Sequence, residues 1–275
     1  MQVCLAGLED SGKRVLLSLL YGSMIRYSEE KRSGFRFSTS TKHQVVFGEN
    51  YNNLRGGLWP YKPYPDQISI TMRFRELGIS AWLKKNIARK EITTQSNINF
   101  SIHDVERIKD EDVWEDDIKK LKELPGAKLT LLVFDIPSLK KDTGSLERFE
   151  KVFRKTIDWR GSKTKPAVIF TMCDKLKSKK LEKLGIPQGI PDIKKIEERK
   201  KVGHALIKEG LPSMNKLLKS YSPEFFFLGI ETERDEDDKE LPKVNPDIES
   251  ELEYPYEEYK ALIQFIGKFE INNSA

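Results

Sequence analysis

Cysteine is scarce in this chain of 275 residues: Cys4 and Cys173 are the two it has. Two thiols make no disulfide framework, and neither stands at metal-ligand spacing. Histidine is nearly as rare, and His43, His103 and His204 are too scattered to compose a zinc site. Nor is there an apolar run near the roughly 20 residues that span a bilayer. No charged-then-apolar leader precedes the first glycine loop, so a cytoplasmic protein without a membrane span is expected.

Charge, by contrast, is abundant. Charged residues make up 33% of the chain against 38% hydrophobic, which fits a sizeable folded core under a heavily charged surface. The net charge of +5 conceals a segregation. Stretch 175–201 is basic, with Lys177, Lys179, Lys180, Lys183, Lys194, Lys195, Lys200 and Lys201. Stretch 231–258 is acidic, centred on Glu233, Asp235, Glu236, Asp237 and Asp238. Both read as solvated faces or loops. No aromatic residue interrupts the lysines to stack on bases, so nucleic acid is not an expected partner.

Hydrophobic periodicity sets the order of elements. Residues 3–6 read as a short buried strand and 15–20 as the start of an apolar helix. Residues 23–66 are rich in Ser, Thr, Asn, Gly and Pro, as in FSTSTKH and NNLRGGLWPYKPYP. They read as a long, partly irregular insertion with one strand near 43–47. QISITMRFR (67–75) alternates and predicts a half-exposed, antiparallel strand, and NINFSIH (97–103) a second alternating one. A helix is expected over 111–124, then the apolar strand LTLLVFD (129–135), a helix over 145–157, and the strand AVIFTM (167–172). Helices over 193–209 and 212–221, the strand FFFLGI (225–230), an acidic loop at 231–255 and a helix over 256–269 complete the chain. Buried strands alternating with helices, without repeat or linker, predict one domain over 1–275. Its class is α/β: three layers, α-β-α, with a mostly parallel sheet.

Ligands of such sheets bind outside the carboxyl ends of the strands, and the sequence places chemistry there. GLEDSGKR follows the first strand, with Gly7, Gly12 and Lys13 at the spacing of G-x-x-x-x-G-K-[ST]. In that pattern backbone N–H groups around Asp10, Ser11 and Gly12 wrap a phosphate, a helix N-terminus adds partial positive charge, and the lysine reaches the outer phosphates. The hydroxyl that ordinarily ligates magnesium is replaced by Arg14. A guanidinium cannot ligate a metal. It would either point away or pair with phosphate oxygens in the metal's stead. Asp104, in HDVER, ends another strand, where in a phosphate-loop nucleotidase a carboxylate approaches magnesium through water. Cys173, Asp174 and Lys175 follow AVIFTM and give the unit TMCDK.

In order and spacing these segments resemble the Ras-like GTPases of the translation-factor-related class of phosphate-loop proteins, over most of the chain. GLEDSGKR resembles the phosphate loop, HDVER the D-x-x-G switch, and TMCDK the [NT]-K-x-D guanine-recognition motif. GGLWPYKPYP resembles a Trp-Pro segment in the first switch of some larger prokaryotic members. The resemblance implies GTP or GDP as ligand, Asp174 accepting from the guanine N1 and exocyclic amine, Thr171 bracing the phosphate loop, and Met172 where a lysine covers the base. The departures carry equal weight. Arg107 stands where the second switch has Gly, and Ile108 where a Gln orients water. FLGIET does not match the segment framing the base, and Thr39, Ser40, Thr41, Ser69 and Thr71 are all candidates for the first-switch hydroxyl.

The function this implies is a guanine-nucleotide-binding switch with weak or absent unaided hydrolysis. Magnesium would be a weakened partner, and a protein would read segments 23–66 and 104–112. Two other readings stay open: an NTPase completed by a partner's catalytic group, and a nucleotide-free interaction protein using the basic and acidic stretches as docking surfaces.

Overall fold

A computed structural model describes residues 1–8, 10–31, 33–65, 67–75, 93–104, 128–137, 139, 150, 165–175, 190–245 and 251–273. Seven strands form one sheet in the order β2-β3-β4-β1-β5-β6-β7. They are β1 (Gln2–Gly7), β2 (Phe35–Thr39), β3 (Gln67–Arg75), β4 (Thr93–Asp104), β5 (Lys128–Asp135), β6 (Lys165–Thr171) and β7 (Glu224–Phe227). β4, β1, β5, β6 and β7 run parallel. β3 is antiparallel to both β4 and β2, as its alternating sequence predicts.

The period-two alternation of β5, β6 and β7 divides their side chains between two cores. Leu131, Val133, Ile169 and Phe226 face one way, into a core shared with α1 (Lys13–Glu29) and α5 (Tyr256–Asn273). Leu132, Phe134, Val168, Phe170, Phe225 and Phe227 face the other, against α3 (Ile196–Gly210) and α4 (Pro212–Tyr221). Strands buried on both faces read as continuous apolar runs, which is why these were legible. The chain is α/β with a mostly parallel seven-stranded sheet, and helices on both faces are compatible with three layers. Among the described residues no helix is long and apolar enough to cross a membrane.

Two expectations need correction. Segment 23–66 is far more ordered than its composition suggests. It holds the end of α1, then β2, then α2 (Thr41–Arg55), so residues 43–47 are helical rather than a strand. Gly48 and three asparagines weaken the intrinsic helix signal here. Packing supplies it instead, because Phe47, Asn50 and Leu54 recur at i, i+3 and i+7 and are buried. Ser40 caps the helix by accepting from His43 N at 3.3 Å. The acidic segment 231–255 likewise carries two short antiparallel ladders. One pairs β8 (Thr232–Arg234) with β9 (Glu240–Pro242), the other β10 (Val244–Asn245) with β11 (Glu251–Leu252).

Smaller differences lie at element ends. β7 stops at Phe227, α5 runs on to Asn273, and β4 begins at Thr93. The helices expected over 111–124 and 145–157 lie outside the described residues, save Glu150. The charged runs are not merely solvated. Arg199, in the basic stretch, donates to both carboxylate oxygens of buried Glu258 in the acidic one. It also donates to Phe225 O at 2.8 Å and Pro191 O at 3.0 Å, fastening α3 and α5 to β7. Burial raises the Glu258 carboxyl above its ordinary range, with the Arg199 guanidinium pulling against it.

Candidate functional site

Parallel strands deliver their carboxyl ends to one edge, and the chain crosses over β1 between β4 and β5, making that edge a topological switch point. The GLEDSGKR loop leaves β1 there. Gly7 has no room for a side chain: a Cβ would lie 2.6 Å from Ser11 Oγ and 2.8 Å from Val133 O. Gly12 caps α1 with φ +79°, the left-handed region that glycine adopts freely. Asp10, also at positive φ (55°), is exposed, whereas Ser11 is fully buried. The loop's shape therefore needs both glycines that the motif specifies.

Lys13 is buried and folded back over this loop. Its Nζ donates to Gly7 O at 3.1 Å, to Ser11 Oγ at 3.0 Å and to Leu8 O. Arg14, one residue on, is exposed. Asp104 is the last residue of β4, in register with Gly7 across the sheet, so its backbone lies beside the loop. Arg107 and Ile108 lie outside the described residues, as does the rest of 105–112.

The second motif arrives from β6. Thr171, its last residue, is buried, and its Oγ1 donates to Ser11 O at 2.7 Å with Phe134 O at 3.3 Å. The glycine loop and TMCDK, 160 residues apart, are thus joined by a direct hydrogen bond. Met172 follows with φ +53°, and Cys173–Lys175 form a single 3₁₀ turn. Cys173 N donates to Leu228 O at 3.2 Å, and Gly229 lies so close that a Cβ there would be 3.2 Å from Cys173 N. Burial pushes the Cys173 thiol well above its ordinary value, so it packs rather than reacts.

Between these segments lies a cavity of about 110 Å³. Gly12, Thr171, Met172, Asp174 and Lys175 line it, together with residues that were not among the expected nucleotide contacts: Trp59, Gly229, Ile230, Thr232, Glu240 and Tyr259. Asp174 lies 3.2 Å from Lys175 Nζ, and that ammonium also pairs with Glu240 and donates to Thr232 Oγ1 at 3.1 Å. Trp59 carried a signal in GGLWPYKPYP. The glycine in FLGIET had only its place after a strand, and Glu240 had none, since its position depends on the β8–β9 ladder. None of the first-switch candidates lines the cavity. Thr39 Oγ1 donates to Ser69 O, Ser69 and Thr71 bond Asn99 and Asn97 across the sheet, and Ser40 caps α2.

No group of three or more His, Cys, Asp or Glu gathers among the described residues to hold a metal. The loop's remaining hydroxyl, on Ser11, is already bonded to Lys13. No protein-family model matches this sequence, and no curated protein matches it. Its chemistry has to be read from this geometry.

Proposed function

We propose that the chain binds a guanine nucleotide at the carboxyl edge of its sheet and acts as a regulatory switch with little unaided hydrolysis. The glycine loop would hold the phosphates against the α1 N-terminus. The Thr171–Lys175 turn would read the base, with Asp174 accepting from guanine N1 and the exocyclic amine. The observation that carries this reading is the Thr171 Oγ1 to Ser11 O bond beside a cavity lined by both motifs. It joins the segment that would take phosphate to the segment that would take base, in the order that the resemblance to Ras-like GTPases implies. The exposed Arg14 in place of a metal-ligating hydroxyl argues for binding over turnover, since magnesium favours near-octahedral oxygen ligands.

A nucleotide-free interaction protein is favoured by one fact. Lys13 already bonds its ammonium to its own loop, so phosphate must displace those bonds. One experiment separates the two. Acid extraction of the purified protein should release GDP or GTP, and titration calorimetry should show both binding more tightly than ATP. Lys13→Ala should weaken binding at least about tenfold, because a charge-assisted contact is worth about 1.5–3 kcal/mol. Equal affinity for ATP and GTP would overturn the reading of Asp174, and absence of binding the whole proposal.

A further inference from the structure

We infer that Glu240 is the latch of this pocket, closing it by tying Trp59 and the β8–β9 hairpin to the Thr171–Lys175 turn. This rests on the nucleotide reading of the site and adds how the site is gated. Two segments distant in sequence, and the facing strand of its own hairpin, converge on this one residue. Trp59 Nε1 donates to its backbone carbonyl at 2.7 Å, Thr232 Oγ1 donates to its Oε1 at 2.7 Å, and the Lys175 ammonium pairs with the same oxygen. No other residue lining the cavity is bonded to both Trp59 and the Thr171–Lys175 turn among the contacts described.

The size of the cavity makes the contact a gate. An enclosed space of roughly 150 Å³ takes up benzene, and the cavity here is about 110 Å³. A purine is larger than benzene, so it fits wholly between these walls only when one of them moves. Gly12, Thr171 and Tyr259 belong to the packed core or to the loop bonded to it, and are fixed. Trp59 and Glu240 are the walls on the surface, 37% exposed and exposed respectively. The hairpin is pinned at its base, where Lys243 N donates to Glu231 O at 2.8 Å and Glu231 N to Glu253 O at 2.9 Å. Swinging it outward about that base breaks the contacts of Glu240 with Trp59 and Lys175 and the bond from Lys175 to Thr232. Lys175 is shared between Asp174 and Glu240, so the closed latch also draws the ammonium toward the hairpin and away from the carboxylate that would face the base.

Trp59 belongs to the connection between α2 and β3, which Asn50 holds through paired bonds to Lys62 (2.9 and 3.0 Å). Its neighbours Leu58 and Tyr61 are exposed.

The test has two arms. In the nucleotide-free protein, Glu240→Ala, which removes the side-chain contacts with Lys175 and Thr232 and leaves the carbonyl that accepts from Trp59, should speed amide hydrogen exchange across residues 232–242 by about two- to fivefold, the scale of a partly exposed ion pair. Glu233→Ala, on the same hairpin, should not. With a fluorescent GDP analogue bound, Glu240→Ala should raise the dissociation rate by a similar factor, and Glu240→Gln by less, since it keeps an acceptor for Thr232. Unchanged exchange in Glu240→Ala overturns the latch. Faster exchange with an unchanged dissociation rate overturns its role as a gate. Failure of the unmodified chain to bind the analogue overturns the nucleotide reading and the gating with it, while exchange still decides whether Glu240 holds the hairpin.

Discussion

Replacing Thr171 by Val tests the joint between the two motifs with little change of shape. The side chain is buried, its hydroxyl lies 2.7 Å from Ser11 O, and its Cβ, Oγ1 and methyl are the atoms that a Cβ added at Gly12 would meet. Valine keeps that packing and removes the one donor. Ser11 itself is fully buried, so its carbonyl loses a partner inside the protein. A buried acceptor left unpaired costs about 1–3 kcal/mol, more than the net worth of the bond that it replaces. Urea unfolding should show that loss as a lower midpoint at unchanged slope. Thr171→Ser keeps the hydroxyl and should recover most of it, less a small packing loss for the missing methyl. In calorimetry, Val should also weaken nucleotide binding more than Ser does, because the freed carbonyl lets the loop relax. A loss below about 0.5 kcal/mol in Val, or Ser no better than Val, would refute the argument that this hydroxyl braces the loop.

Gly12→Ala should destabilise the protein by about 1–2 kcal/mol in the same assay, because the left-handed backbone penalises a Cβ and the new atom falls 3.3 Å from Thr171 Cβ. Arg199→Met should cost about 3–5 kcal/mol by stranding Glu258 in the core, whereas the double variant Arg199→Met with Glu258→Leu should recover most of that loss. His204 gives a pH dependence. Burial lowers its imidazole from the ordinary value of 6.5, against the bond to Asn215 (2.9 Å), so its contribution is present above 6.5 and lost as pH falls below it. Between about pH 7.5 and about pH 5 the wild type should therefore lose more unfolding free energy than His204→Gln.

What the sequence determined by itself is whatever depends on local pattern. Val3, Leu5, Leu131 to Phe134 and Val168 to Phe170 make apolar runs that read as buried strands, and their order with the helices expected between them predicts the mostly parallel sheet. Gly7 and Gly12 were legible because the turn tolerates nothing larger and φ +79° is expensive for other residues. Thr171 and Asp174 are singled out by the resemblance of TMCDK, at the end of a strand, to the [NT]-K-x-D motif. Only the tertiary structure decided α2, whose Gly48 and asparagines are poor helix formers until Phe47, Asn50 and Leu54 pack beneath them. It alone joined Arg199 to Glu258 and brought Trp59 to Glu240 across 181 positions. The physical reason is the range of the interactions: strand alternation and glycine turns are settled by neighbours in the chain, whereas the pocket's outer wall is made by contacts between residues that only the folded sheet brings together.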